Sequence, residues 1–285
     1  MHKHIFKNKY GQYFLYDLNL LKLIINQADL NHQNVIEVGP GKGILTRLLL
    51  SKAKKVLLYE IDTSLKPFLF FDADISVDII YDDFLKRDLK TDLQKYFSQE
   101  DVVLIGNLPY YITTPLLFKI LFLTQIKTFT IMIQKEIGLR LLASSQQKKY
   151  NALSVMVQSL TNIKKIKIVK KTMFYPCPKV DGIVLKFEKK KLLDEERYFI
   201  ENNFFAFVKI SFQQKRKSLL NNLHDFFKIE KSQLLQFFYK YQIPNNIRGE
   251  EIDLIRFRQI AYCFFDFFHT NSILQSMHFL VKNKK

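Results

Sequence analysis

The sequence predicts an α/β chain: a mostly parallel sheet first, then a smaller all-helical domain. Three observations predict it. Strand-like and helix-like segments alternate through residues 35–133, the strand-like segments are nearly continuous apolar runs, and strand signals fall away after about residue 190. Alternation at this spacing builds βαβ units. Strands apolar on both faces belong to a sheet covered on both sides. The expected domains are residues 1–190 and 191–285, divided after Phe187-Glu188-Lys189-Lys190-Lys191.

The elements follow in order. Residues 35–38 (VIEV) are a short β-branched run that stops at glycine, and 44–51 (ILTRLLLS) reads as a helix. Residues 56–61 (VLLYEI) and 76–81 (SVDIIY) read as strands, and 85–97 has helical spacing. Residues 101–105 (DVVLI) are the next strand, followed by a proline-containing loop, a helix over 114–123 and a strand over 129–133. Helices are expected over 199–212, 219–227, 231–241 and 250–268. Phe264, Phe265, Phe267 and Phe268 are expected in the core, since Phe is so often buried. Residues 281–285 are expected to be a frayed basic tail.

Composition narrows the classes. The 27 Phe and 14 Tyr among 285 residues give too much burial for a disordered chain. Two Cys exclude a disulfide framework. No apolar run reaches the roughly 18 residues that cross a bilayer. Residues 1–12 are basic with no apolar stretch behind them, so a soluble, cytoplasmic protein is expected. The net charge of +17 points either to a polyanionic partner, nucleic acid being commonest, or to the Lys-, Ile-, Phe- and Asn-rich usage that AT-rich coding produces.

Only eight glycines exist, yet Gly39, Gly41 and Gly43 fall within five residues, between the first strand and its helix. An open parallel sheet there needs a tight turn that brings backbone N–H groups to a ligand. The loop is not a P-loop, because Ile36 stands where the first glycine belongs. Nor is it a dinucleotide fingerprint, because Gly43 comes too early. Glu37 before the loop would repel a pyrophosphate and suits a cation. S-adenosylmethionine, with a sulfonium, an amino group and no phosphate, meets these conditions. Glu60, 21 residues after Gly39, closes the second strand where a carboxylate accepts both ribose hydroxyls. Asp83 follows the third strand, within reach of an adenine amine.

Gly106-Asn107-Leu108-Pro109-Tyr110 follows the fourth strand. An exocyclic adenine amine is a poor nucleophile because its lone pair is delocalised into the ring. Two acceptors gripping its hydrogens would stabilise positive charge growing on nitrogen. The Asn107 amide oxygen and the Leu108 carbonyl could do this, Pro109 would stiffen the loop, and Tyr110 offers a stacking face.

These motifs resemble those of the ribosomal RNA adenine dimethyltransferases. Gly11-Gln12-Tyr13-Phe14-Leu15 resembles the family's entrance to the cofactor pocket. Glu37 to Thr46, Glu60-Ile61-Asp62 and Asp83 resemble its cofactor motifs, and Asn107 to Tyr110 its catalytic loop. Gln134-Lys135-Glu136, Leu153-Ser154-Val155, Phe174 to Asp181, Phe212 to Lys217 and Arg248-Gly249-Glu250 follow in family order. The resemblance implies a Rossmann-like class I methyltransferase domain. It would place two methyl groups from S-adenosylmethionine on N6 of each of two adjacent adenines near the 3′ end of small-subunit rRNA. It implies cofactor contacts at Tyr13, Leu15, Gly39, Glu60, Asp83 and Asn107, beside the glycine turn with Gly41, and a Phe174 that helps sandwich the target adenine. Tyr13 stands where the family has Asn, Asn151 where Gly is common, and Lys215 where Arg is common.

Lys215-Arg216-Lys217 is the preferred phosphate contact, with Lys164-Lys165-Lys167 and Lys170-Lys171 as further basic clusters; charge runs are also ordinary solvated faces. No metal is expected, since the six His show no ligand spacing with Cys177 or Cys263. Cys177 reads as a small filler. The expected partner is small-subunit rRNA within a precursor particle, with no membrane and a monomeric enzyme. Two alternatives stay open: a large-subunit rRNA methyltransferase conferring antibiotic resistance, and an RNA-binding assembly factor that needs no catalysis. Leu108 and the Pro176-x-Pro178-Lys179-Val180-Asp181 segment favour the small-subunit enzyme.

Overall fold

The computed structural model describes residue 7 and residues 11–71, 76–109 and 112–268. The chain runs through β1 (Phe14–Leu15), α1 (Leu18–Gln27), β2 (Asn34–Val38), α2 (Ile44–Leu50), β3 (Lys55–Tyr59), β4 (Val77–Ile80), α3 (Leu89–Phe97) and β5 (Val102–Asn107). It continues through α4 (Thr113–Phe122), β6 (Ile126–Gln134), α5 (Lys135–Leu141), α6 (Ala152–Leu160), β7 (Thr161–Val169), β8 (Phe174–Tyr175) and β9 (Gly182–Lys189). Helices α7 (Asp194–Phe199), α8 (Phe205–Ser211), α9 (Leu219–Phe227), α10 (Lys231–Lys240) and α11 (Leu254–Phe267) follow, with π-helical Ile200–Phe204 between α7 and α8.

The main sheet has the order β4-β3-β2-β5-β6-β9-β7. From β4 to β6 all neighbours are parallel, and β9 alone runs against both of its neighbours. This is the α/β architecture expected from the alternating segments, whose five strands are β2 to β6. Val, Ile and Leu make β2 and β5 buried almost throughout, as strands covered on both faces require.

The winding reverses at β2, with β3 and β4 on one side and β5 and β6 on the other, so a crevice opens at its carboxyl end. Register fixes what lines it. Val38 pairs with Tyr59 and Gly106, and Tyr59 pairs with Ile80. The residues next in chain, Gly39, Glu60 and Asn107, therefore leave the sheet along one edge.

Two elements near the site were not among the expected ones. In α1, Asp17 caps the helix by accepting from the Leu20 N–H at 2.8 Å. Leu20, Leu21, Ile24 and Ile25 are its buried face, each contributing roughly 1.5–3 kcal/mol of burial. The other is the pair of β1 with β8, which sets Phe14 opposite Tyr175 and Leu15 opposite Phe174.

The helix expected over 85–97 is shorter, starting at Leu89. Asp83 captures the Leu85 N–H, which turns the chain before the helix, and Asp88 caps the helix start by accepting from the Lys90 and Thr91 N–H groups.

The chain divides into two compact units. One holds the described residues up to Gly138 with Thr161–Lys189; the other holds Leu139–Leu160 and the described residues from Lys190 onward. Residues 139–160 fall within the α/β domain expected from sequence. They belong with the helical unit because α6 packs on α8 and α11, and because the Tyr150 hydroxyl donates to the Ile252 carbonyl at 3.0 Å. Phe204, Phe207, Phe237, Phe238, Phe257 and Phe264 form the centre of that unit. Phe265, Phe267 and Phe268 are half-buried, in ring contact with it. Residues 281–285 lie outside the described residues. Among the described residues no helix is long and apolar enough to cross a membrane.

Candidate functional site

The carboxyl edge of the sheet carries a cleft of about 910 Å³, its mouth included. Tyr13, Gly39, Gly41, Glu60, Asp83, Asn107, Leu108 and Pro109 all line it. A second, more apolar cleft of about 570 Å³ adjoins it and shares Phe14, Gly39 and Asn107; Leu15 and Glu37 lie on its wall.

The glycine turn is shaped by backbone. Gly39 continues the β2–β3 ladder, its N–H donating to the Tyr59 carbonyl at 2.9 Å, and then turns with φ +72°. Gly41 has φ +60°, and a Cβ there would lie 2.5 Å from the Phe14 ring. Both conditions exclude side chains.

Glu60 is buried, yet both its oxygens are in use. Oε2 accepts from the Gly41 N–H at 3.1 Å and Oε1 from the Asp62 N–H at 2.8 Å. Burial pushes its carboxyl up to about 7, against the pull of those N–H groups. Glu37 is buried more deeply, and burial raises it to about 8; the Thr46 hydroxyl, donating at 2.7 Å, opposes the rise and the Glu60 charge adds to it. The two carboxylates await something that favours their charged forms. A ribose diol at Glu60 and an ammonium near Glu37 would do so, and a glycine turn with no room for side chains fits a ligand laid against backbone. The cleft thus fits S-adenosylmethionine. Asp83 lines the same cleft with Oδ1 accepting from the Leu85 N–H at 2.9 Å.

The loop that follows β5 is held at its root. The Leu108 N–H donates to the Met132 carbonyl at 3.0 Å, extending the β5–β6 ladder by one residue. Pro109, with no N–H, ends it, and the Pro109 carbonyl accepts from the Ile112 N–H at 3.2 Å. Asn107 Nδ2 donates to the Tyr13 carbonyl at 2.8 Å. Tyr110 lies outside the described residues.

Phe174 is not on the wall of either cleft. The two-residue pairing turns it inward with Leu15, into the core beside Val169 and Val184, while Tyr175 faces out. Lys215, Arg216 and Lys217 are exposed on a loop of the helical unit. Asn222, buried, clips that loop, donating to the Ser211 and Gln214 carbonyls and accepting from the Gln214 N–H. Lys217 Nζ lies 2.7 Å from the Asp225 carboxylate. Among the described residues no cluster of His, Cys, Asp or Glu is placed to hold a metal.

Sequence reasoning missed a clasp. Gln12 Nε2 donates to Asp62 Oδ2 at 2.7 Å, and Lys7 Nζ to Asp62 Oδ1 at 2.5 Å. Burial alone would raise the Asp62 carboxyl, but hydrogen bonds from Lys7, Ser64 and Gln12 hold it down to about 2. The residues themselves were in view; their meeting, 50 positions apart, was not.

The fold and this cleft define a methyltransferase that uses S-adenosylmethionine. The chain belongs to the ribosomal RNA adenine dimethylase family, whose model matches residues 3–260. It is 52% identical over 267 residues to the ribosomal RNA small subunit methyltransferase A of Onion yellows phytoplasma (strain OY-M), covering 93% of this chain and 98% of that one. It is 49% identical over 278 residues to the protein of the same name from Phytoplasma australiense, covering 97% and 98%. Its structure is similar to that of a dimethyladenosine transferase from Plasmodium falciparum, with TM-score 0.75 and 25% identity over 89% of this chain and 98% of that one. The 23S rRNA methyltransferase ErmE shares the fold at TM-score 0.63 and 23% identity, over 87% of this chain and 99% of that one.

Proposed function

We propose that this chain transfers methyl groups from S-adenosylmethionine to N6 of two adjacent adenines near the 3′ end of small-subunit rRNA, giving N6,N6-dimethyladenosines. The observation that carries this reading is Asn107, placed by β5 in the same cleft as Gly39, Glu60 and Asp83 with its amide already oriented. Only the nitrogen of an amide can donate to a carbonyl. The bond to Tyr13 therefore assigns Nδ2, and Oδ1 is the atom left to accept from a base.

The cofactor supplies a methyl group made electrophilic by its sulfonium. The rest falls to the chain. Gly39 and Gly41 give the cofactor backbone to lie against. Glu60 accepts the ribose hydroxyls, and Asp83 takes the adenine amine. Asn107 Oδ1 and the Leu108 carbonyl grip the target amine, stabilise its growing positive charge and aim its lone pair. Pro109 keeps the loop from relaxing. Tyr110 remains the proposed stacking partner. Phe174 enters only as the partner of Leu15 that keeps β1 in place.

The RNA must be non-duplex where the adenine enters, because a paired base cannot reach such a cleft. Lys215 and Arg216 are proposed to meet its phosphates, with Lys217 weakened by Asp225. The particle recognised is taken to be a small-subunit precursor, met by a monomer in the cytoplasm. Large-subunit rRNA is less favoured: relatives 52% and 49% identical to this chain carry small-subunit names, and the likeness to ErmE speaks only to the fold. The test is to incubate the protein with unmethylated small subunits and labelled S-adenosylmethionine, then map the modified nucleosides by mass. Two adjacent dimethyladenosines near the 3′ end are expected; labelling of large subunits alone would overturn the assignment.

A further inference from the structure

We infer that the main-chain carbonyl of residue 13, rather than its side chain, is a positioning group for methyl transfer: it sets the Asn107 amide so that Oδ1 faces the incoming base. The inference rests on the proposed role of Asn107.

The geometry is specific. Asn107 Nδ2 donates to the Tyr13 carbonyl at 2.8 Å. An unheld Asn amide samples a broad terminal torsion and presents donor and acceptor edges alternately. An amide turned the wrong way would point its own N–H at the amine hydrogens it is meant to accept. One fixed carbonyl removes that state.

The carbonyl is itself fixed from both sides. Immediately before it, Gln12 is tied to the buried Asp62, which Lys7 and the Ser64 hydroxyl also grip. Immediately after it, Phe14 and Leu15 pair with Tyr175 and Phe174, and Leu15 is buried. The peptide of Tyr13 is thus suspended between a charged anchor and an apolar one. No side chain at position 13 is needed for this work. That explains how Tyr can stand where the resemblance implies Asn without loss of the orienting contact.

The test weakens this carbonyl, and a second variant accounts for the backbone N–H that the change also removes. Replacing Phe14 by phenyllactic acid in the full-length chain turns the preceding amide into an ester, whose carbonyl accepts hydrogen bonds less well. Placing the corresponding hydroxy acid at Tyr175 injures the same strand pair but leaves the Tyr13 carbonyl an amide. The readouts are the single-turnover rate of the first methyl transfer on unmethylated small subunits, and S-adenosylmethionine affinity by calorimetry. The ester at 14 is expected to slow transfer about five- to tenfold, with affinity changed less than about threefold. The ester at 175 is expected to slow it distinctly less. Equal losses in both, or no loss at 14, would overturn the inference. A separate arm guards the reading beneath it. If Asn107→Ala keeps normal turnover, the role of the amide itself fails; if Asn107→Ala is dead while the ester at 14 is normal, only the positioning role fails.

Discussion

Replacing Glu60 by Gln should remove the Glu60 share of the protons released on cofactor binding. In the free protein, burial holds the Glu60 carboxyl at about 7 and Glu37 at about 8. Near pH 7, Glu60 is about half protonated and Glu37 about nine-tenths protonated. A ligand that donates two ribose hydroxyls to Glu60 favours the carboxylate, so its proton is expelled on binding. If the bound group returns to about 4.5, affinity weakens roughly tenfold from pH 8 to pH 6. Release at pH 7 is then about half a proton from Glu60, with Glu37 adding in the same direction if it faces the ligand's ammonium. Calorimetry in buffers of different ionisation enthalpy counts the protons directly. In E60Q the release should drop by about half a proton and the pH 6–8 dependence should flatten. Proton uptake by the wild type, or wild-type release by E60Q, would refute the reasoning. The same shift acts on the free protein with the opposite benefit. The folded-state value lies above the ordinary 4.5, so this contribution to stability is fully present below about pH 4.5 and lost as pH rises through about 7. Its size is of the order of 3 kcal/mol at 1.36 kcal/mol per unit.

Three further outcomes are expected. Asn107→Ala should abolish methyl transfer while leaving S-adenosylmethionine affinity mostly intact, measured by labelled-methyl incorporation beside calorimetry; loss of affinity alone would reassign the residue. Lys215→Ala with Arg216→Ala should lower the slope of log binding constant against log salt by about 1.5. Lys217→Ala should lower it less, since Asp225 already pairs with that cation; an unchanged slope in the double variant removes the loop from the interface. Gly41→Ala must hold φ +60° and displace the Phe14 ring. The left-handed backbone alone costs about 1–2 kcal/mol, so the melting midpoint should fall by roughly 2–8 °C, with cofactor affinity lost. A midpoint at the wild-type value would show that the turn can relax.

Much of the site was legible because parallel sheets put chemistry at strand ends. Once the strands ending at Val38, Tyr59 and Asn107 are recognised, the glycines, Glu60 and Asn107 must share one edge. Local chemistry also marks α9, which runs over 219–227 as expected, with Ser218 at its cap accepting from the Asn221 N–H. The missed α1 had a readable signal: a capping Asp17 before apolar residues at helical spacing. Other features had none. Asn107 and Tyr13 are 94 positions apart, and no local propensity states which carbonyl an amide will find. Phe174 has the composition of a base-stacking residue, but its orientation is decided by alternation against β1, a strand of two residues too short to read from pattern. Residues 139–160 follow the sheet's strands in sequence, and only the packing of α6 reveals that they belong with the helices.

The turn Glu60-Ile61-Asp62 explains how a cleft that destabilises its own carboxylates keeps its shape. Glu60 faces the cleft and is held by N–H groups of Gly41 and Asp62. Two residues on, Asp62 faces the opposite demand: it is charged, buried and satisfied by Lys7, Gln12 and Ser64. One turn therefore carries a carboxylate whose charge waits for a ligand and a carboxylate whose charge is already paired. The paired one secures Gln12, Gln12 adjoins Tyr13, and Tyr13 orients Asn107. The cofactor end and the reacting end of the cleft thus share an anchor. On the proposed roles, a ligand that docks at Glu60 meets an Asn107 amide already aimed, so little geometry has to be found during reaction. This economy requires position 12 to donate to Asp62 and position 13 to offer a carbonyl, and it does not call on the side chain of position 13.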